Sequence, residues 1–189
     1  IAITLFFILP LLASKPFEGI FGNDITSNIS EGIIRLIVFL LYISLIGLMQ
    51  DIKRVYMYHG AEHMTVHAQE NNEPLCIQNI RKYPTAHPRC GTAFLLTVMV
   101  VAIVIFTLIP RDPMWLLYGS RIVLIPVIAS ISYEFIRLTG RYQRIPIFRA
   151  LSIPNLMLQS LTTKQPDDDQ IEIAVAAMQA TIKADRELD

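Results

Sequence analysis

The chain has 189 residues, 53% of them hydrophobic and 17% charged, with 16 basic and 16 acidic side chains and no net charge. Soluble domains usually carry about a quarter charged residues, and the mean hydropathy here is +0.46, so the composition points to membrane spans rather than one large water-soluble core. Balanced charge without a basic stripe interleaved with aromatics argues against nucleic acid as a partner, and two cysteines, Cys76 and Cys90, are too few for a disulfide framework.

In chain order, an apolar segment at 1–12 opens directly on Ile1, with no basic stretch before it to suggest a secretory signal. Part of the natural protein is expected to lie upstream. Further spans are predicted at about 33–49, 94–109 and 114–136. Arg35 is placed to snorkel at one end of the second span, while the third is uncharged. The fourth carries Arg121 towards its start and Glu134 towards its end, and Arg111-Asp112-Pro113 makes a tight turn that should join the last two as a helical hairpin.

Lys53, Arg54, Arg81, Lys82 and Arg89 lie in the segment 51–91, and Arg137, Arg141, Arg144 and Arg149 follow the fourth span. The opposite loops hold little beyond Lys15 and Arg111, so the positive-inside rule makes the His-rich segment and the C-terminus cytoplasmic. The stretch 141–161, broken by Pro146 and Pro154, is predicted to lie on the membrane surface or beneath the bundle. A terminal helix follows, with Asp167 as N-cap and Gln170 three residues on. Its apolar face of Ile171, Val175, Met178 and Ile182 needs a partner, another protein or a second copy of the chain. The fold class is therefore an all-α membrane protein with about four transmembrane helices. The bundle takes in 1–165, including the cytoplasmic His-rich segment 51–91, and 166–189 forms a C-terminal cytoplasmic amphipathic helix.

All four histidines fall between His59 and His87. His59-Gly60-Ala61-Glu62-His63 has the H-x-x-E-H spacing of inverted zinc peptidases. On a helix His59 and His63 stand one turn apart and can share a divalent metal, zinc above all, while Glu62 is suited to act as general base. Gly60 weakens such a helix locally. Glu70 lies seven residues beyond His63, roughly 10 Å along the axis, too far to bind the same ion on a straight helix. His67, one turn beyond His63, offers a ladder of three histidines as the competing arrangement. A third ligand is expected from His87, Cys90 or Glu134. Glu134 reads equally as an interfacial carboxylate paired with Arg137 or Arg141. A set of surface histidines on an amphipathic helix is the non-metal alternative. Cys76, between Leu75 and Ile77, is expected to be packed.

Tyr58-His59-Gly60-Ala61-Glu62-His63, then Glu70, then His87-Pro88-Arg89-Cys90-Gly91-Thr92 leading into a span, resemble the YqhQ-type family. The likeness extends through Ser132-Tyr133-Glu134, Gln159 to Thr163, Pro166 and Glu172-Ile173-Ala174. That is a bacterial membrane family with a domain of unknown function, described as predicted metal-dependent enzymes. The resemblance implies functional positions at His59, Glu62, His63, Glu70, His87, Cys90 and Glu134. It leaves His67 outside the pattern, and implies a bacterial cytoplasmic membrane location with a Gly-rich segment upstream.

The function expected from residues and resemblance together is a membrane-embedded metal-dependent enzyme, a hydrolase, with a cytoplasm-facing site. The alternative is a non-enzymatic membrane scaffold or accessory subunit whose His/Glu/Arg network fixes the loop. A transporter or channel would want acids deep in several spans, and only Glu134 and Arg121 approach that.

Overall fold

The computed structural model describes residues 5–6, 9–21 and 23–188, and no strand occurs among the described residues. The helices are α1 (Leu9–Phe21), α2 (Asp24–Ile46), α3 (Gln50–Glu70), α4 (Ile77–Ile80), α5 (Gly91–Thr107), α6 (Met114–Val123), α7 (Ile125–Arg141), α8 (Pro146–Thr162) and α9 (Asp168–Leu188). Half of the expected span at 1–12 lies outside the described residues.

One helix, α2, is long and apolar enough to cross a membrane, and only 22% of its apolar window is buried. A soluble core helix of that hydropathy would be mostly covered. Helices α6 and α7 pass the same test only together, across a 44° bend, and α5 is apolar but shorter. The expected single span at 114–136 is therefore broken. Pro126, in the first turn of α7, has no N–H for the Ile122 carbonyl and its ring crowds that turn.

The chain divides into two compact units. Unit 1 comprises 1–43 and 91–152; unit 2 comprises 44–90 and 153–189. The His-rich segment is thus grouped with the C-terminal helix, whereas the sequence pattern groups it with the spans.

In unit 1, α5 and α6 pack against α7. Gly32 of α2 admits Ile103 of α5 so closely that a β-carbon there would lie 2.5 Å from its Cγ1. Ile33, Ile37 and Leu41 make an exposed stripe on α2, and Val100, Val104, Trp115, Ile122 and Ile131 are also exposed; apolar surface on that scale calls for lipid or a partner. Arg35 does not snorkel from a helix end. It lies midway along α2, and its Nη2 pairs with Glu31 at 2.6 Å while its Nε donates to the Phe6 carbonyl at 3.1 Å.

In unit 2, α3 packs against α9 and α4. Ala61, Met64, Ala68, Ile80 and Ile171 form the core, flanked by Leu75, Ile77, Tyr83, Ala174 and Val175. Part of the apolar face expected on the terminal helix is therefore covered by α3 itself. Its N-terminus carries a reciprocal capping box: Gln170 N–H donates to Asp167 Oδ1 at 2.9 Å, and Asp167 N–H to Gln170 Oε1 at 3.1 Å. Cys76 is exposed rather than packed. It precedes α4 in extended backbone, where alternate side chains face opposite ways, so Leu75 and Ile77 turn inward and Cys76 outward.

Candidate metal centre

The candidate residues gather along α3 in unit 2. His59 and His63 are one helical turn apart, with ring centroids 4.3 Å apart. Gly60, between them, meets the segment that follows α8: a β-carbon there would lie 2.1 Å from the Lys164 carbonyl oxygen. Lys164 N–H also donates to the Tyr56 carbonyl at 2.9 Å, so this strand of chain is laid directly on the α3 backbone. The glycine that weakens the helix by propensity is what permits this approach.

Two backbone carbonyls then set the imidazoles. His59 Nδ1 is 2.9 Å from the Thr162 carbonyl oxygen, and His63 Nδ1 is 2.7 Å from that of Thr85. A carbonyl only accepts, so both rings carry their proton on Nδ1 and present a lone pair at Nε2. His59 Nε2 lies 3.2 Å from Cys90 Sγ. Ligand atoms of His59, His63 and Cys90 all fall within 4.8 Å of one another, with His63 and Cys90 buried. The hydrogen bond with Cys90 raises the His59 pKa above its ordinary value; burial opposes it, and the Thr162 carbonyl and nearby Cys90 and Glu62 add to the rise.

A second group follows on the same helix. His67, Glu70 and His87 also bring ligand atoms within 4.8 Å of one another, but their hydrogen bonds run differently. His67 Nε2 donates to the Ala86 carbonyl at 2.9 Å, and its ring stacks on Tyr83. His87 Nδ1 accepts from Arg89 N–H at 3.3 Å, which leaves the proton on Nε2, 3.3 Å from Glu70 Oε2. Glu70 Oε1 takes the Arg89 guanidinium at 2.6 Å. Gln159 of α8 clamps the His87 backbone, accepting from its N–H at 2.7 Å and donating to its carbonyl at 2.8 Å. Burial lowers the His87 pKa, with Glu70 opposing. This group satisfies itself as a closed network, whereas in the first the Nε2 atoms of His59 and His63 converge on the Cys90 thiol, which is hydrogen-bonded to His59.

Of the residues named from sequence, His59, His63 and Cys90 come together. His87 is in the adjoining group, its ring 5.8 Å from that of His63. Glu70 stands apart from the His59–His63 pair, as the helical rise requires, and His67 joins it rather than extending a three-histidine ladder. Glu62 is exposed on α3. Glu134 belongs to unit 1 and to neither group; it is exposed and pairs with Arg137 at 3.3 Å. Sequence reasoning missed the carbonyls of Thr85, Ala86 and Thr162, which no side-chain pattern reports. Gln159 left a trace, as a lone amide after the apolar run Leu156-Met157-Leu158.

Fold and site together define an all-helical protein with one or two helices fit to cross a membrane and a His/Cys group borne on a separate helical unit. Over residues 1–184 the chain matches the family described as "Protein of unknown function (DUF1385)", and it belongs to that family. It is 35% identical over 178 residues to "Uncharacterized protein YqhQ" of Bacillus subtilis (strain 168), covering 94% of this chain and 56% of that protein. The chain thus spans a little over half the length of this relative, and the resemblance to a YqhQ-type family holds. No solved structure matches the chain.

Proposed function

We propose that the protein is a metal-dependent hydrolase of the bacterial cytoplasmic membrane, with its site on unit 2 facing the cytoplasm. The observation that carries this reading is the paired tautomer control. Both His59 and His63 donate Nδ1–H to a backbone carbonyl, the outer-sphere arrangement that orients histidine ligands and fixes Nε2 for a metal. With Cys90 they make a donor set of two nitrogens and one sulfur, which suits zinc. Held by His59, His63 and Cys90, zinc would supply a Lewis acid able to activate water. Glu62, exposed and next to His63, would take the proton from the attacking water. Gln159 and Arg89 would hold the His87 loop, and with it Cys90, in place.

About four spans, with the arginines and lysines of 51–91 and 137–149 on the cytoplasmic side, remain the preferred topology; the exposed apolar stripes of α2 and α5 support it. Metal analysis of purified protein tests the site. Wild type is expected to hold roughly one zinc per chain and His59→Ala/His63→Ala to lose it. Wild type without stoichiometric zinc, iron or manganese would sink the proposal.

A second reading, a membrane scaffold, is favoured by the self-satisfied His67/Glu70/His87/Arg89 network. It predicts that Glu62→Gln leaves function intact. An enzyme would lose activity in that variant while staying folded.

A further inference from the structure

Helix α8 is built inside out. Five of its residues are buried, and four of them, Ser152, Asn155, Gln159 and Thr162, are polar; Leu158 is the fifth. At intervals of three and four residues the polar four share one face. The opposite face is exposed and apolar, carrying Ile147, Ala150, Ile153, Pro154 and Met157. A helix with that face in water would show the reverse pattern.

The polar face is occupied by the fold. Ser152 Oγ donates to the Phe148 carbonyl at 3.0 Å and accepts from Gln143 Nε2 at 2.6 Å. Gln159 clamps the His87 backbone, and the Thr162 carbonyl orients His59. Turning the helix over would strand these buried groups without partners. The apolar side is therefore what α8 offers to its surroundings.

Charge indicates what those surroundings are. Residues 135–166 contain Arg137, Arg141, Arg144, Arg149 and Lys164, and no Asp or Glu. Arg137 is paired with Glu134, while Arg141, Arg144 and Arg149 are exposed. Arg149 stands one turn before Ile153, at the margin of the apolar face, and Arg141 and Arg144 lead into the helix. Long cationic side chains beside an apolar face reach from acyl chains to headgroups. A run of them without acids is drawn to a negatively charged lipid surface. A second copy of the chain would instead bring the same arginines against these ones.

We propose that α8 lies in the plane of the membrane interface, with Ile147, Ile153 and Met157 among the acyl chains and Arg141, Arg144 and Arg149 on anionic lipid headgroups. This placement rests on the membrane location proposed above and not on the metal. Thr162 and Gln159 hold the His59 and His87 segments from the other side of the same helix. The His/Cys group then lies one helix diameter, roughly 10 Å, from lipid.

The test uses the full chain carrying Cys76→Ser and Met157→Cys, spin-labelled at position 157 and reconstituted in phosphatidylcholine vesicles with phosphatidylglycerol. Cys90 is buried and escapes the label. Collision with oxygen should exceed collision with a water-soluble relaxation agent several-fold, as for a side chain sunk about 5–10 Å into the interface. Among the lipids held by the protein, spin-labelled phosphatidylglycerol should be enriched about twofold or more over spin-labelled phosphatidylcholine. Arg141→Gln/Arg144→Gln/Arg149→Gln, all exposed changes, should lower that enrichment. A chain that floats with vesicles but whose label meets the water-soluble agent more than oxygen overturns the proposal alone. So does a label that meets neither because protein covers it. Equal enrichment of the two lipids, or an enrichment unchanged in the triple variant, overturns it as well. A chain that does not float overturns the membrane location with it. None of these readouts depends on zinc, so failure of the hydrolase reading shows separately.

Discussion

At Gly60 the approach of the Lys164 carbonyl is to backbone, which has no flexible tip to swing aside. In an open helix Gly→Ala would gain about 1 kcal/mol. Here the overlap decides the sign, and Gly60→Ala is expected to cost about 1–3 kcal/mol, read as a lower urea midpoint. It should also reduce metal occupancy, because Thr162, two residues earlier, orients His59. His87 makes a pH-dependent counterpart. Its folded pKa is lowered by burial from 6.5, so as pH falls below that value the unfolded chain takes up a proton that the folded chain resists. Its contribution is complete above 6.5 and is lost on acidification. His59, raised above 6.5, works the other way: its contribution is present at lower pH and lost as pH rises through the folded value. Unfolding in chelator between pH 7.5 and 5 should therefore show wild type losing its advantage over His87→Gln as pH falls; a constant difference would contradict the burial argument. At this scale the sequence was most legible where chemistry lies in side chains. His59, His63 and Cys90 could be found by type and spacing, but not the carbonyls that choose their tautomers.

Helices were legible where one local rule governs them. The capping box at Asp167 and Gln170 and the turn at Arg111-Asp112-Pro113 follow from nearest neighbours. The interruption between α6 and α7 was harder to see, because hydropathy averages over Pro126 while hydrogen bonding does not. Pro126→Leu restores a donor for the Ile122 carbonyl and should reduce the 44° bend. Spin labels at the exposed positions Tyr118 and Tyr133 would report it, since a straight helix separates them by about 22 Å along its axis. An unchanged separation would mean that packing of α7 on α5, rather than the proline, holds the bend.

Across the whole molecule, the division into two units was the least legible feature, since unit 2 is assembled from segments that unit 1 separates in sequence. The pattern of charge instead predicts which side of the membrane unit 2 occupies. Cys76 is exposed and Cys90 buried, so an impermeant maleimide should modify Cys76 in inside-out vesicles and spare it in intact cells. Labelling in intact cells would reverse the proposed orientation. The same discontinuity has a consequence in time. His59 is oriented by a carbonyl 103 residues further along the chain. At ribosomal rates of about 5–20 residues per second, Thr162 is made roughly 5 to 20 s after His59. Through that interval α3 has neither its orienting carbonyl nor the α9 surface that buries its core. The His/Cys group therefore forms only after the C-terminal helices are made, and under the proposed function metal binding would be a late event in the protein's life, dependent on the last helix.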